Sequence, residues 1–152
     1  MKTQSQKAVK TLFGAALAIG ISLSPALALP SVSIYSNSGG RIIDFALQAA
    51  IYRESHKLVQ FTGQCDSACT LFLALPRNQI CISPGASFRF HAPVSGNERA
   101  ALKAKQYLLR KYPGWVRSFV AQRGGLTHKL ITMDYAVASR HMPSCGRTVA
   151  AR

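Results

Sequence analysis

Residues 57–93 read KLVQFTGQCDSACTLFLALPRNQICISPGASFRFHAP. Lys57 to Thr62 is strand-like, and Gly63 to Asp66 reads as a turn. Ser67 to Leu75 is a helix of apolar and small residues, closed by Pro76. Gln79 to Ser83 is a second strand, Pro84-Gly85 a turn, and Ser87 to His91 a third strand. A strand, a helix and two more strands in close succession predict an α/β arrangement with right-handed crossovers.

The flanks extend the same alternation. Ser31 to Tyr35 is a short strand that runs into Ser36-Asn37-Ser38-Gly39-Gly40, and Arg41 to Glu54 has the pattern of an amphipathic helix. Asn97 to Gln122 is helical with an interruption at Pro113-Gly114, and Gly124-Gly125 ends it. Met133 to Ala138 fits a further short helix. No internal repeat, low-complexity tract or linker divides the chain.

The first 28 residues have the layout of a secretory leader. Lys2, Lys7 and Lys10 form a basic start, Thr11 to Leu23 an apolar run, and Ala26-Leu27-Ala28 a small-residue cleavage signal behind Pro25. The competing reading, a membrane anchor, needs a run of about 20 apolar residues, and this one is shorter. The expectation is a signal peptide at 1–28, an exported (periplasmic or secreted) product with no stable membrane span after cleavage, and a single domain at 29–152. Without the leader lysines, 16 basic residues face five acids, a net charge of +11. The cations are scattered rather than grouped, so the balance points to weak affinity for anionic polymers or lipid head groups. It does not point to a specific nucleic-acid partner.

Four cysteines, Cys65, Cys69, Cys81 and Cys145, follow the leader. An even count in an exported chain suggests two disulfides, for which three pairings exist. Cys65–Cys69 with Cys81–Cys145 is the favoured pairing, since a bridge across Ser67 would stiffen that turn. Zinc is the alternative for the Cys65/Cys69 spacing, but no second tight pair completes a site. No metal and no cofactor are expected.

Three segments carry candidate chemistry. Ser38-Gly39-Gly40 stands between a strand and a helix, where glycines let backbone N–H groups face an anion; taken alone, a tight turn is the commoner reason for such a pair. Ser67 stands where a strand meets a helix, with its hydroxyl near the helix N-terminus and the Ala68 N–H beside it. Serine is also a preferred helix N-cap, and that reading needs no catalysis. His91 ends a strand 24 residues later. It is the type of base a serine hydroxyl needs, although a lone histidine is ordinarily a structural residue.

Taken together, these segments resemble the Clp-protease and crotonase-like superfamily. "NSGG" is similar to the family's strand-end "NSPGG" without its proline, "GQCDSAC" to its nucleophile segment "GQAAS", and "FHAP" to its "IHQP". "CDSAC" is closer to a group of small exported proteins related to that superfamily. The resemblance covers Ile34 to Pro93. It implies a shortened Clp-protease/crotonase-like fold of repeated β-β-α units, lacking a strand–helix unit before the "NSGG" strand. Ser67 would be the nucleophile, His91 the general base, and the N–H groups of Gly40 and Ala68 the oxyanion donors. Asp134 stands where the family places the aspartate that orients the histidine; a charge at a helix N-terminus is the other reading of that residue. Asp66 is better suited to serving the turn.

The activity implied is serine hydrolysis of a peptide or protein substrate. The alternative is a catalytically silent scaffold of the same shape that acts as a binding or oligomerisation module. Asn97 to Arg123 matches in length and position the family's contact helix, so a homo-oligomer is expected under either reading; a solvated helix face is the plainer account. A third class, a basic exported protein held on anionic surfaces, would lose its retention in salt.

Overall fold

A computed structural model of the protein describes residues 30–146. The leader at 1–28 lies outside the described residues. Five strands form one mixed sheet: β1 (Ser31–Asn37), β2 (Leu58–Asp66), β3 (Ile80–Ile82), β4 (Ser87–Phe90) and β5 (Ile131–Met133). Helices α1 (Ile42–Glu54), α2 (Glu98–Lys111), α3 (Gly114–Ala121) and α4 (Tyr135–Ala138) and a 3-10 helix (Ser67–Ala74) complete the α/β content. The succession β-β-α occurs once among the described residues, at β3–β4–α2.

The organising strand is β2. Along one edge it pairs with β1 in parallel; along the other its first half pairs with β3 and its second half with β4, both parallel. β5 then adds to β4 antiparallel. Alternation along the strands sorts the faces. Val59, Phe61, Cys65, Phe88, Phe90 and Met133 enter the core, where Phe61 meets Phe88 edge-on at 4.8 Å. Ser33, Gln60, Gln64, Ser87, Arg89 and Thr132 share the opposite, polar face.

Several expectations are corrected. The stretch Gly63 to Asp66 is strand rather than turn, because Ser36 and Asn37 on one side and Ser87 to Arg89 on the other extend the ladders to its end. Gly63 marks an irregularity in that ladder. The β1–β2 register shifts between Ile34 and Ser36, and this brings the Tyr35 carbonyl to 1.8 Å from where a Cβ on Gly63 would lie. Only glycine fits there. Ser67 to Ala74 winds as 3-10 rather than α-helix over eight residues, well past the usual three or four. Residues 131–133 pair with β4 as β5, and Asp134 caps the short α4 behind them.

Helix α1 is apolar on both faces rather than amphipathic. Ile42, Phe45, Ala46, Ala49 and Tyr52 pack on the core, with Phe45 and Tyr52 against Phe72 at 5.6 and 5.4 Å. Ile43, Leu47 and Ile51, spaced one turn apart, stay 63%, 63% and 55% exposed. Pro113 separates α2 from α3, as the Pro113-Gly114 interruption predicts; a proline there cannot continue the ladder of α2. No helix among the described residues is long and apolar enough to cross a membrane.

Cys65 bonds Cys69, and Cys81 bonds Cys145. Two disulfides are the mark of an oxidising compartment, as expected of an exported chain, and they leave the Cys65/Cys69 pair no thiolates to offer a zinc ion. The first closes a loop over four positions of sequence, the second over 64. Chain-entropy arguments then give about 2 kcal/mol for the short loop and about 4 kcal/mol for the long one. Urea titration of Cys65→Ala/Cys69→Ala and of Cys81→Ala/Cys145→Ala proteins should show the second pair of substitutions to be the more destabilising.

Candidate functional site

Ser67 sits at the junction where β2 leaves the sheet and the 3-10 helix begins. Its φ is +52°, in the left-handed region that residues with a side chain rarely occupy. Three features hold it there. Cys65–Cys69 bridges the turn from beneath, with both cysteines fully buried. Asp66, the last residue of β2, is tied to β4: Arg89 Nε donates to its Oδ1 at 2.8 Å, Arg89 Nη2 pairs with Oδ2, and Gln64 Nε2 donates to Oδ2 at 2.6 Å. The Thr70 hydroxyl donates to the Ser67 carbonyl at 2.6 Å. Asp66 thus serves the β2–β4 ladder and does not reach for the histidine. Hydrogen bonding to Asp66 raises the pKa of Arg89 above its ordinary value, against the cost of desolvation.

The glycine loop lies directly on this turn. The Asn37 side chain accepts from Gly39 N–H at 2.9 Å and shapes the loop. Gly39 has a φ of +83°, and a Cβ on it would stand 2.6 Å from the Asp66 carbonyl oxygen and 2.8 Å from Ser67 Cβ. Its absence of a side chain is what lets the loop settle on the Asp66–Ala68 turn. With its own N–H engaged, Gly39 leaves Gly40 to face outward. Gly40 lines a cleft of about 770 Å³ together with Ser38, Arg41, Ser67, His91 and Val94. The far wall is α2, through Ala100, Ala104 and Leu108 at one-turn spacing.

His91 follows directly on β4 and reaches the cleft because β4 lies beside the end of β2 that delivers Ser67. Its Nδ1 is 2.8 Å from the Ala92 carbonyl oxygen. A carbonyl only accepts, so this bond puts the proton on Nδ1 and leaves Nε2 with a free lone pair. The Ala92 N–H in turn donates to the Thr127 carbonyl at 2.6 Å, which anchors the segment. No hydrogen bond joins Ser67 to His91 in this state; such bonds commonly tighten only around substrate.

The structure separates Asp134 from His91. In the β4–β5 register Phe88 faces Met133 and Phe90 faces Ile131. Asp134 therefore lies at the Ser87 end of β4 and His91 at the other, roughly 13 Å apart at a strand's rise per residue. Its Oδ1 accepts from the Val137 N–H at 2.9 Å, so its role is to cap α4. Ala68, the other expected oxyanion donor, lies in the first turn of the 3-10 helix, where N–H groups lack partners within the helix.

Sequence reasoning singled out the glycine pair but missed Asn37, Arg89, Thr70 and Tyr112. Thr70 carries a legible signal, as the one hydroxyl in the apolar run Ala68–Leu75. Arg89 stands among the phenylalanines of β4, where strand alternation puts it opposite the core. Tyr112, 19 residues past the Phe90–Pro93 segment, gives none. Compared with protein-family models and with curated proteins, the chain matches none.

Burial raises the Tyr112 pKa to about 12. Between pH 10 and 12 the unfolded chain loses this proton while the folded one keeps it. The associated stability, up to about 3 kcal/mol, is present below pH 10 and lost as pH rises toward 12. Unfolding free energies measured across pH 9–12 should fall, and Tyr112→Phe should flatten that decline.

Proposed function

We propose that the protein is an exported, periplasmic or secreted, serine hydrolase of peptide-like substrates, a relative of the Clp-protease and crotonase-like superfamily. The observation that carries this reading is Ser67. A serine held at positive φ on a strand-to-helix turn, in the wall of a cleft that it shares with a histidine, is a costly conformation that packing alone does not require.

In this reading Ser67 Oγ attacks a carbonyl carbon while His91 Nε2 takes its proton. The N–H groups of Gly40 and Ala68 hold the tetrahedral oxyanion. His91 returns the proton to the departing amine, and water then cleaves the acyl-enzyme by the same route. The Ala92 carbonyl selects the tautomer in place of an aspartate. A peptide dipole stabilises the imidazolium less than a carboxylate does, so turnover should be slow compared with a full triad.

A second reading, a binding or oligomerisation module, is supported by the exposed stripe Ile43, Leu47 and Ile51 and by β1, a seven-residue edge strand without a charged side chain. The occupant it implies is a second copy of the chain. Sedimentation should then find an oligomer in the wild type and a monomer in Leu47→Glu; a monomeric wild type would dispose of it.

The hydrolase is tested by labelling the oxidised protein with a fluorophosphonate. Wild type should label stoichiometrically, Ser67→Ala not at all, and His91→Ala on the order of a hundredfold more slowly. A folded wild type that stays unlabelled would sink the mechanism. Asp134→Ala should label at the wild-type rate and cost about 1 kcal/mol of stability through the lost cap.

A further inference from the structure

A buried polar chain joins the end of α2 to the nucleophile, and the mechanism above makes no use of it. Thr70 is fully buried and Tyr112 is 2% exposed. The Thr70 hydroxyl oxygen is 2.6 Å from the Ser67 carbonyl oxygen and 2.6 Å from Tyr112 Oη. Thr70 has one hydroxyl proton and the Ser67 carbonyl has none, so the direction is determined: Thr70 donates to Ser67, and Tyr112 donates to Thr70. Tyr112 is itself held where α2 ends, its ring edge-on to Phe90 at 5.7 Å. A valine and a phenylalanine of the same shapes would fill this space without desolvating two hydroxyls, so packing does not call for the pair.

The Ser67 carbonyl belongs to the same peptide unit as the Ala68 N–H, and in a trans peptide the two point in opposite directions. Anchoring the carbonyl on the core side therefore turns the N–H away from the core. That is the side of the glycine loop: a Cβ on Gly39 would come to 3.0 Å from Ala68 N. The 3-10 winding matters too. In a 3-10 helix the Ser67 carbonyl takes the N–H of Thr70; relaxation to an α-helix would hand it to Leu71 and rotate the peptide. The hydroxyl of Thr70 binds the same carbonyl as the 3-10 ladder does, and so favours the tighter form.

We propose that Thr70 and Tyr112 are positioning residues that hold the Ser67–Ala68 peptide in its 3-10 orientation and so aim the Ala68 N–H at the oxyanion. The proposal rests on the hydrolase reading. Neither side chain touches substrate; each acts through the peptide it orients.

The test compares fluorophosphonate labelling rate, urea stability and the Ala68 amide resonance in Thr70→Ser, Thr70→Val, Tyr112→Phe and the double variant Thr70→Val/Tyr112→Phe. Thr70→Ser keeps the hydroxyl and should keep the labelling rate. Thr70→Val leaves the Tyr112 hydroxyl buried without an acceptor; it should lose stability and label on the order of tenfold more slowly. The double variant removes both hydroxyls, so stability should recover while labelling stays slow and the Ala68 resonance stays displaced. A merely structural pair would show the reverse: a double variant that labels at the wild-type rate, with Ala68 unmoved, overturns the proposal alone. A folded wild type that never labels overturns the hydrolase reading and this proposal with it.

Discussion

The double-sided pairing of β2 is the constraint on which the remaining structure depends. One nine-residue strand is hydrogen-bonded to β1 along one edge and to β3 and then β4 along the other. Because β1 and β4 run parallel to it and reach its last residues, their C-terminal ends gather beside its own at one end of the sheet. The glycine loop leaves β1 there, Ser67 leaves β2, and His91 leaves β4. Three segments distant in sequence meet because the ladders put them side by side. Gly63 lets β2 continue past the register shift to that end, although it touches nothing in the cleft.

The second layer of control is the tethering of a single turn. Ser67 is bracketed by a disulfide, faced by Gly39, preceded by an aspartate locked to Arg89, and followed by a threonine bonded back to its carbonyl. Each of these acts on backbone and leaves the hydroxyl alone. A left-handed φ at a residue with a side chain costs on the order of 1–3 kcal/mol and persists only where its surroundings over-determine it. These are the surroundings. Asp66 shows how the arrangement divides its charges: the carboxylate next to Ser67 is neutralised across the sheet by Arg89.

Much of the fold was legible because its elements are short and bounded by turn residues. Alternating apolar residues identified β1, the Pro84-Gly85 turn set off β3 and β4, and Pro113-Gly114 divided the helical stretch where α2 and α3 part. The misreadings share a cause. Gly63 to Asp66 reads as a turn because glycine and aspartate are turn residues in isolation, and only pairing on both edges makes them strand. The same holds for Ile131–Met133, whose strand state depends on β4, 41 positions before it in the register pair Phe90–Ile131. In the cleft, the residues with a chemical signature of their own, Ser67, His91 and Gly40, could be named from sequence. Their supports could not, because Asn37, Thr70, Tyr112 and Arg89 matter only through the partners that tertiary structure supplies. Asp134 drew attention by being the sole acid late in the chain, yet its neighbour in space is the start of α4.

The two disulfides have one further consequence, for how the chain matures. Each joins a cysteine to the next one along the sequence, Cys65 to Cys69 and then Cys81 to Cys145. A chain threaded across a membrane from its N-terminus presents its thiols in that order. An oxidant that joins each new thiol to the one waiting before it arrives directly at the native connectivity, with no wrong bridge to undo. Joined in that order, the thiols reach this connectivity without isomerisation, and the bridge at the turn that carries Ser67 needs none of the residues that close the second one.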